Sequence, residues 1–297
     1  MSTTSGLRQR STYWGRSGAA NFARSAIALG AISLNAVACR ATDVAGASGR
    51  YDVGQWIWTR RDSVLLADAS RTIDSIVPTV WIASVGEVRN GSAAVQLALS
   101  PRVGGAQRVA VVIRFEDSFG KSWENQTDSS VAASADSAVT MVLAVAQSAG
   151  VTISEVQLDY DCPERLLPRW AAVVRLWSQK SLAGRTVWLT SLVAHVRRSE
   201  YGDLFRGIVA GHIVQVFDTG DRMSVPYARQ LERMLTRHRM PFRLGVGAFE
   251  RQLANGTTTN HRAWFGAARL MTGSQWFRGV WVFPGGGPWA SLLERAP

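Results

Sequence analysis

The nine residues Val156-Gln157-Leu158-Asp159-Tyr160-Asp161-Cys162-Pro163-Glu164 carry the most chemistry in this chain. The segment Ile153 to Leu158 leads into two carboxylates two positions apart and then a proline. Alternate residues of a strand share a face, so Gln157, Asp159 and Asp161 are expected on one side and Val156, Leu158 and Tyr160 on the other. Two neighbouring carboxylates repel, so the pair titrates in two steps, with one member protonated while the other is ionised. The protonated member can donate to a leaving oxygen while the ionised one stabilises developing positive charge. Asp159 and Asp161 are therefore the candidate catalytic residues. Gln157, deeper on the same face, is expected to orient Asp159, and Arg114 from a neighbouring strand to keep one acid ionised. Two plainer readings stand beside this one. Asp161 can cap a helix that begins at Pro163, with Glu164 in its first turn. Arg114 can simply neutralise Asp159 in a structural ion pair.

The elements that must hold these residues alternate along the chain. Strands are predicted near Trp56, Trp81, Val111, Gln157, Leu189, Val214, Leu244 and Trp281, and a short extra one over 95–99 after the turn Asn90-Gly91. Helical spacing fills the intervals 62–76, 129–149, 163–179, 199–205, 225–238 and 260–271. Eight strands alternating with helices define an α/β chain folded as a single (β/α)8 TIM-type barrel, irregular where helices are short. An open doubly wound sheet is the alternative, but no Gly-rich phosphate loop follows the first strand.

A barrel sorts the polar residues, because sites form at the C-terminal ends of its strands. Arg60, Glu87, Arg114, Glu116, Asp159, Asp161, Thr190, His195, Gln215, Asp218 and Glu250 all fall at or just past such ends. Glu116, Asp218 and Glu250 are the candidates for a second carboxylate across the mouth. Twelve tryptophans is a high number for 297 residues. Aromatic faces beside carboxylates suit sugars, whose C–H faces stack while their hydroxyls need hydrogen bonds. Trp58, Trp281, Gln157, Arg114 and Gln215 are accordingly the expected substrate-binding residues, although packing alone explains most of the tryptophans. The expected ligand is a carbohydrate, and the chain is either a glycoside hydrolase or a catalytically inactive glycan-binding or scaffolding protein. No Gly-x-Ser-x-Gly elbow supports a serine triad.

The first 38 residues read as an export signal. Arg8, Arg10, Arg16 and Arg24 precede an apolar stretch, Ala26 to Ala38, too short to span a bilayer and ending in Ala36-Val37-Ala38. Cys39 follows, so the layout resembles a bacterial lipoprotein box, with Cys39 acylated and the protein held on the periplasmic side of a membrane. Plain cleavage after Ala38 and secretion is the alternative. Residues 39–50 are then a linker and 51–297 the barrel. Cys162 is a lone buried thiol if Cys39 is lipidated; otherwise a Cys39–Cys162 disulfide is open to an exported protein. Two cysteines so far apart give no zinc pattern, and no metal or cofactor is expected. The formal charge is +11, of which the four arginines of the signal contribute +4. The remaining basic residues are dispersed and nearly all arginine, which argues against nucleic acid as a partner.

The strand carrying Asp159 resembles the central strand of an uncharacterised bacterial barrel family whose members carry Gln-(Ile/Leu)-Asp-(Phe/Tyr)-Asp. Leu167, Trp170 and the segment Ala171 to Leu176, the opening Trp56-Ile57-Trp58-Thr59 and the strand Trp188-Leu189-Thr190-Ser191-Leu192 extend the resemblance across most of residues 51–285. It implies a glycoside-hydrolase-like fold with no settled activity. More distantly the strand resembles chitinase-like barrels, in which alternating acids end in a proton-donating glutamate. Here Glu164 stands one residue later than that pattern requires.

Overall fold

The computed structural model describes residues 52–59, 61–62, 64–65, 69, 80–89, 92–95, 108–217, 223–252, 258–285 and 289. The predicted export segment, Cys39 and the linker lie outside the described residues, as do Arg60, Asp218 and most of the helix expected over 62–76.

Among the described residues there are eleven strands: β1 (Asp52–Trp56), β2 (Val80–Arg89), β3 (Ser92–Val95), β4 (Arg108–Phe115), β5 (Ile153–Tyr160), β6 (Val187–Leu192), β7 (Gly211–Gln215), β8 (Phe242–Ala248), β9 (Glu250–Gln252), β10 (Thr258–Asn260) and β11 (Phe277–Pro284). β1, β2, β4, β5, β6, β7, β8 and β11 pair in parallel, and β11 returns to β1. Since β1 pairs with both β2 and β11, the sheet closes and the open-sheet alternative is excluded. All eight expected barrel strands are present. The extra strand sits at 92–95 rather than 95–99, antiparallel to the upper half of β2. The β9–β10 hairpin was not anticipated, because its three-residue strands leave too little alternation to read.

Local chemistry fixes the helices. Thr127 caps Asp128–Ser148 by accepting from the Ser130 N–H at 3.2 Å, and Gly150 ends the helix at φ 78°. Ser224 caps Val225–Arg237 in the same way, with Pro226 in the first turn. The helices cover the barrel's outer face, where Val111, Ile113, Phe115, Val156, Leu158 and Tyr160 meet Trp170, Trp177, Val139 and Val142.

Inside the barrel a smaller apolar cluster gathers Trp56, Ala110, Val112, Trp188, Ile213 and Trp281. Its indoles fit because glycines face them. A Cβ on Gly54 would lie 2.5 Å from the Trp281 ring, and one on Gly211 2.5 Å from Trp188. Below this layer lies a buried ionic cluster that sequence reading missed. Arg243 donates to Glu155 at 2.8 and 3.0 Å and to Asp52 at 3.0 Å, with its guanidinium 3.8 Å from the Trp188 ring centre. Above it lies the mouth.

Candidate active site at the barrel mouth

β5 builds the site by strict alternation. Glu155, Gln157 and Asp159 point inward, while Val156, Leu158 and Tyr160 join the outer core. Asp159 is 5% exposed, and groups from three neighbouring strands converge on it. Thr190 Oγ1 of β6 donates to Asp159 Oδ1 at 2.6 Å, and Gln215 Nε2 of β7 donates to the same oxygen at 3.3 Å. Arg114 Nη1 of β4 lies 3.7 Å from Oδ2. Parallel register makes this convergence possible, since Arg114 is the cross-strand partner of Asp159 and Leu158 that of Leu189. Thr190 and Gln215 both donate to Oδ1, while Oδ2 faces the Arg114 charge.

Asp161 is placed differently from the expectation. β5 ends at Tyr160, so the shared inward face stops at Asp159 and Asp161 stands exposed just past the strand. The Cys162 N–H reaches back to the Tyr160 carbonyl at 2.7 Å, which puts Asp161 at the centre of a tight three-residue turn. Asp161 is not a helix cap either. Pro163 precedes the 3₁₀ turn Glu164–Leu166, Leu166 precedes the helix Leu167–Ser178, and neither start has a side-chain cap. Glu164 is exposed and lies 3.6 Å from Arg198, on the side of the following helices.

Gln157 corrects another expectation. Its amide donates to Glu155 at 2.8 Å and its oxygen accepts from the Trp56 indole at 3.0 Å. It ties the mouth to the ionic cluster below, while Thr190 and Gln215 take the role of orienting Asp159. Thr190 is legible in hindsight as the inward residue of β6 level with Asp159.

Trp58 forms one wall of the mouth. The Arg114 guanidinium lies 5.4 Å from its ring centre, and Phe283 packs beside it at 6.1 Å. Its backbone is pinned by Asp62, whose Oδ2 accepts from the N–H groups of Trp58 at 3.0 Å and Thr59 at 2.8 Å. The signal for Asp62 is Thr59-x-x-Asp62, the spacing of a capping box. Trp281 is fully buried, its ring centre 5.7 Å from that of Trp56. Among the described residues the indole N–H groups of Trp58 and Trp281 are buried without an acceptor.

Of the second-carboxylate candidates, Glu116 is half-buried at the start of the short helix Asp117–Lys121. Glu250 is exposed at the start of β9, beyond β8, and Asp218 lies outside the described residues. Glu87 pairs in register with Arg114 on β2. Cys162 holds a free, buried thiol, pushed up to about 12 by burial, and Cys39 lies outside the described residues. Among the described residues no cluster of three or more His, Cys, Asp or Glu is arranged to hold a metal ion.

The closed (β/α)8 barrel is a fold that other solved proteins share. The spore cortex-lytic enzyme SleL of Bacillus cereus is similar in structure with a TM-score of 0.58 at 11% identity, covering 84% of this chain and 75% of that one. A GH18 chitinase from Pseudoalteromonas aurantia gives 0.54 at 11% identity, over 82% and 98%. A family 18 chitinase from Crocus vernus gives 0.52 at 10% identity, over 82% and 95%. At these identities the likeness establishes the fold. No protein-family model matches the sequence, and no curated protein matches it.

Proposed function

We propose that this chain is an exported glycoside hydrolase acting on an envelope or extracellular glycan. The observation that carries the reading is the convergence of Thr190, Gln215 and Arg114 on Asp159 at the mouth. A buried carboxylate held by two hydrogen-bond donors and faced by an arginine is a negative group at the point where a sugar's anomeric carbon would gain positive charge. In this scheme Asp161, exposed two residues further on, donates the proton to the glycosidic oxygen. That replaces the pairing expected from the sequence with a division of roles set by burial. Trp58, half-buried at the mouth, offers an aromatic face for a sugar ring. The names of the structural neighbours, two chitinases and a cortex-lytic enzyme, point to N-acetylated glycans as the first substrates to try.

The alternative is a catalytically inactive barrel that binds glycan or scaffolds an envelope complex. It draws support from Asp159 being fully engaged by its neighbours and from Glu164 lying beside Arg198 rather than at the expected acid position. The deciding experiment incubates the purified chain with β-1,4-linked N-acetylglucosamine oligosaccharides and with purified cell-wall glycan. Mass spectrometry then follows products, and calorimetry follows binding. Cleavage supports the hydrolase, whereas saturable binding with intact oligosaccharide supports the alternative.

We further propose export with acylation at Cys39, on the strength of Ala36-Val37-Ala38-Cys39 after an apolar run. Stable anchoring would come from the several acyl chains of a lipoprotein. Mass spectrometry of the mature N-terminus tests this: a diacylated or triacylated Cys39 supports it, and an unmodified Cys39 or a retained Met1 contradicts it.

A further inference from the structure

The turn that carries Asp161 is held from behind by a histidine that the proposed mechanism leaves unused. His195 is 2% exposed, in the short helix Val193–Arg197 that follows β6. Its Nδ1 accepts from the Leu192 N–H at 3.2 Å, so the proton of the neutral ring sits on Nε2. Nε2 donates to the Cys162 carbonyl at 2.7 Å. Cys162 is thereby fixed at both backbone groups, its N–H by Tyr160 and its C=O by His195. Asp161 is the residue between those anchors. The ring thus bridges the end of β6, which carries Thr190, to the end of β5, which carries Asp159 and Asp161.

We infer that His195 is a positioning residue that fixes the Asp161 turn relative to Asp159 and Thr190. The inference rests on the hydrolase reading only for its catalytic consequence; the hold on the turn stands by itself. The Nε2–H that bonds Cys162 fixes the turn, and the Leu192 N–H on Nδ1 fixes the ring. Burial pushes the imidazole below its ordinary value, against the raising influence of the Cys162 carbonyl and of Glu164. The other titratable groups around it are the Cys162 thiol on the turn, Tyr201 stacked at 6.3 Å from the next helix, and His212 on β7. Arg198, at the end of the histidine's own helix, is engaged by Glu164 and Glu200.

The buried Cys162 thiol is a built-in reporter. Wild type, His195→Ala and His195→Gln are treated with a thiol reagent at pH 7.5, and modification is read on the Cys162 peptide by mass spectrometry. Glutamine can accept with its oxygen and donate with its nitrogen, as the neutral ring does. The inference expects Cys162 to react at least tenfold faster in His195→Ala, with a cooperative melt retained, and within about threefold of wild type in His195→Gln. Equal protection in all three, or a glutamine variant as reactive as the alanine variant, overturns it. If His195→Ala does not fold, His195→Phe takes its place and hydrogen exchange over residues 159–166 is read at pH 7.5. Exchange there should be faster in His195→Phe than in wild type and His195→Gln; identical exchange overturns the inference. On a cleaved glycan, His195→Ala should lower kcat roughly 10- to 100-fold with little change in KM, and His195→Gln should restore it. Unchanged kcat beside an opened turn would show that the hold exists and would count against Asp161 as the acid, which separates the two claims.

Discussion

Burial divides Asp159, inside β5, from Asp161, just past its end. Asp159 accepts from Thr190 and Gln215 and faces Arg114, so Asp159→Asn sets an amide N–H₂ against at least one of the three. The expected cost is about 1–3 kcal/mol of stability, read by chemical denaturation, together with loss of turnover. Asp161→Asn removes a charge from an exposed turn, so its stability should stay within about 0.5 kcal/mol of wild type. A large loss of stability at Asp161 with none at Asp159 would reverse the assignment of roles. Thr190→Val tests the orienting bond. It keeps the side chain's shape and deletes the 2.6 Å donor, and should cost about 1 kcal/mol, more if Asp159 finds no substitute.

At the scale of elements, the mouth depends on what lies beneath it. Arg243 on β8 joins Glu155 on β5 to Asp52 on β1, and Gln157 and Trp56 carry that linkage upward to the layer below Asp159. Arg243→Met strands Glu155, which is 1% exposed, as an uncompensated buried charge. It should destabilise the barrel by about 3–5 kcal/mol, measured by guanidinium denaturation; a change under 1 kcal/mol would show that the cluster is dispensable. Much of this level is legible in the sequence. β4 announces itself by continuous β-branched and apolar residues, and the period-two alternation of β5 places Gln157 and Asp159 on the inner face. The strand's end is not legible, because nothing local distinguishes Asp161 as a last strand residue from Asp161 as the centre of a turn. The ionic cluster escaped notice for a related reason. Asp52, Glu155 and Arg243 lie on three strands distant in sequence, and only closure of the barrel makes them neighbours. His195 falls just past a strand end in the sequence, and its bond to Cys162 shows only once β5 and β6 lie side by side.

For the whole molecule, closure places every strand's C-terminal end at one mouth and leaves the space between sheet and helices to an apolar layer. Three neutral histidines sit in or beside that layer. His195, His212 and His238 ring Tyr201, with centroid distances of 6.3, 5.3 and 5.6 Å. Burial lowers all three from their ordinary value, His212 to about 3. Their unfolded-state value is about 6.5. Below that pH the unfolded chain takes up protons that the folded chain refuses, so stability is fully present above about 6.5 and is lost as pH falls toward the folded values. His212 alone should cost about 2 kcal/mol at pH 5. Denaturation midpoints at pH 7.5 and pH 5 check this, and equal stabilities at the two values would show that the histidines titrate normally.

Turnover by wild type and Asp161→Asn on the same N-acetylglucosamine oligosaccharides, at matched folded concentration, tests the central claim most directly. The account expects cleavage by wild type and a fall in kcat of at least about 100-fold in the variant, with the melting transition unchanged. Release of product by both proteins at the same rate, or by neither, would contradict it.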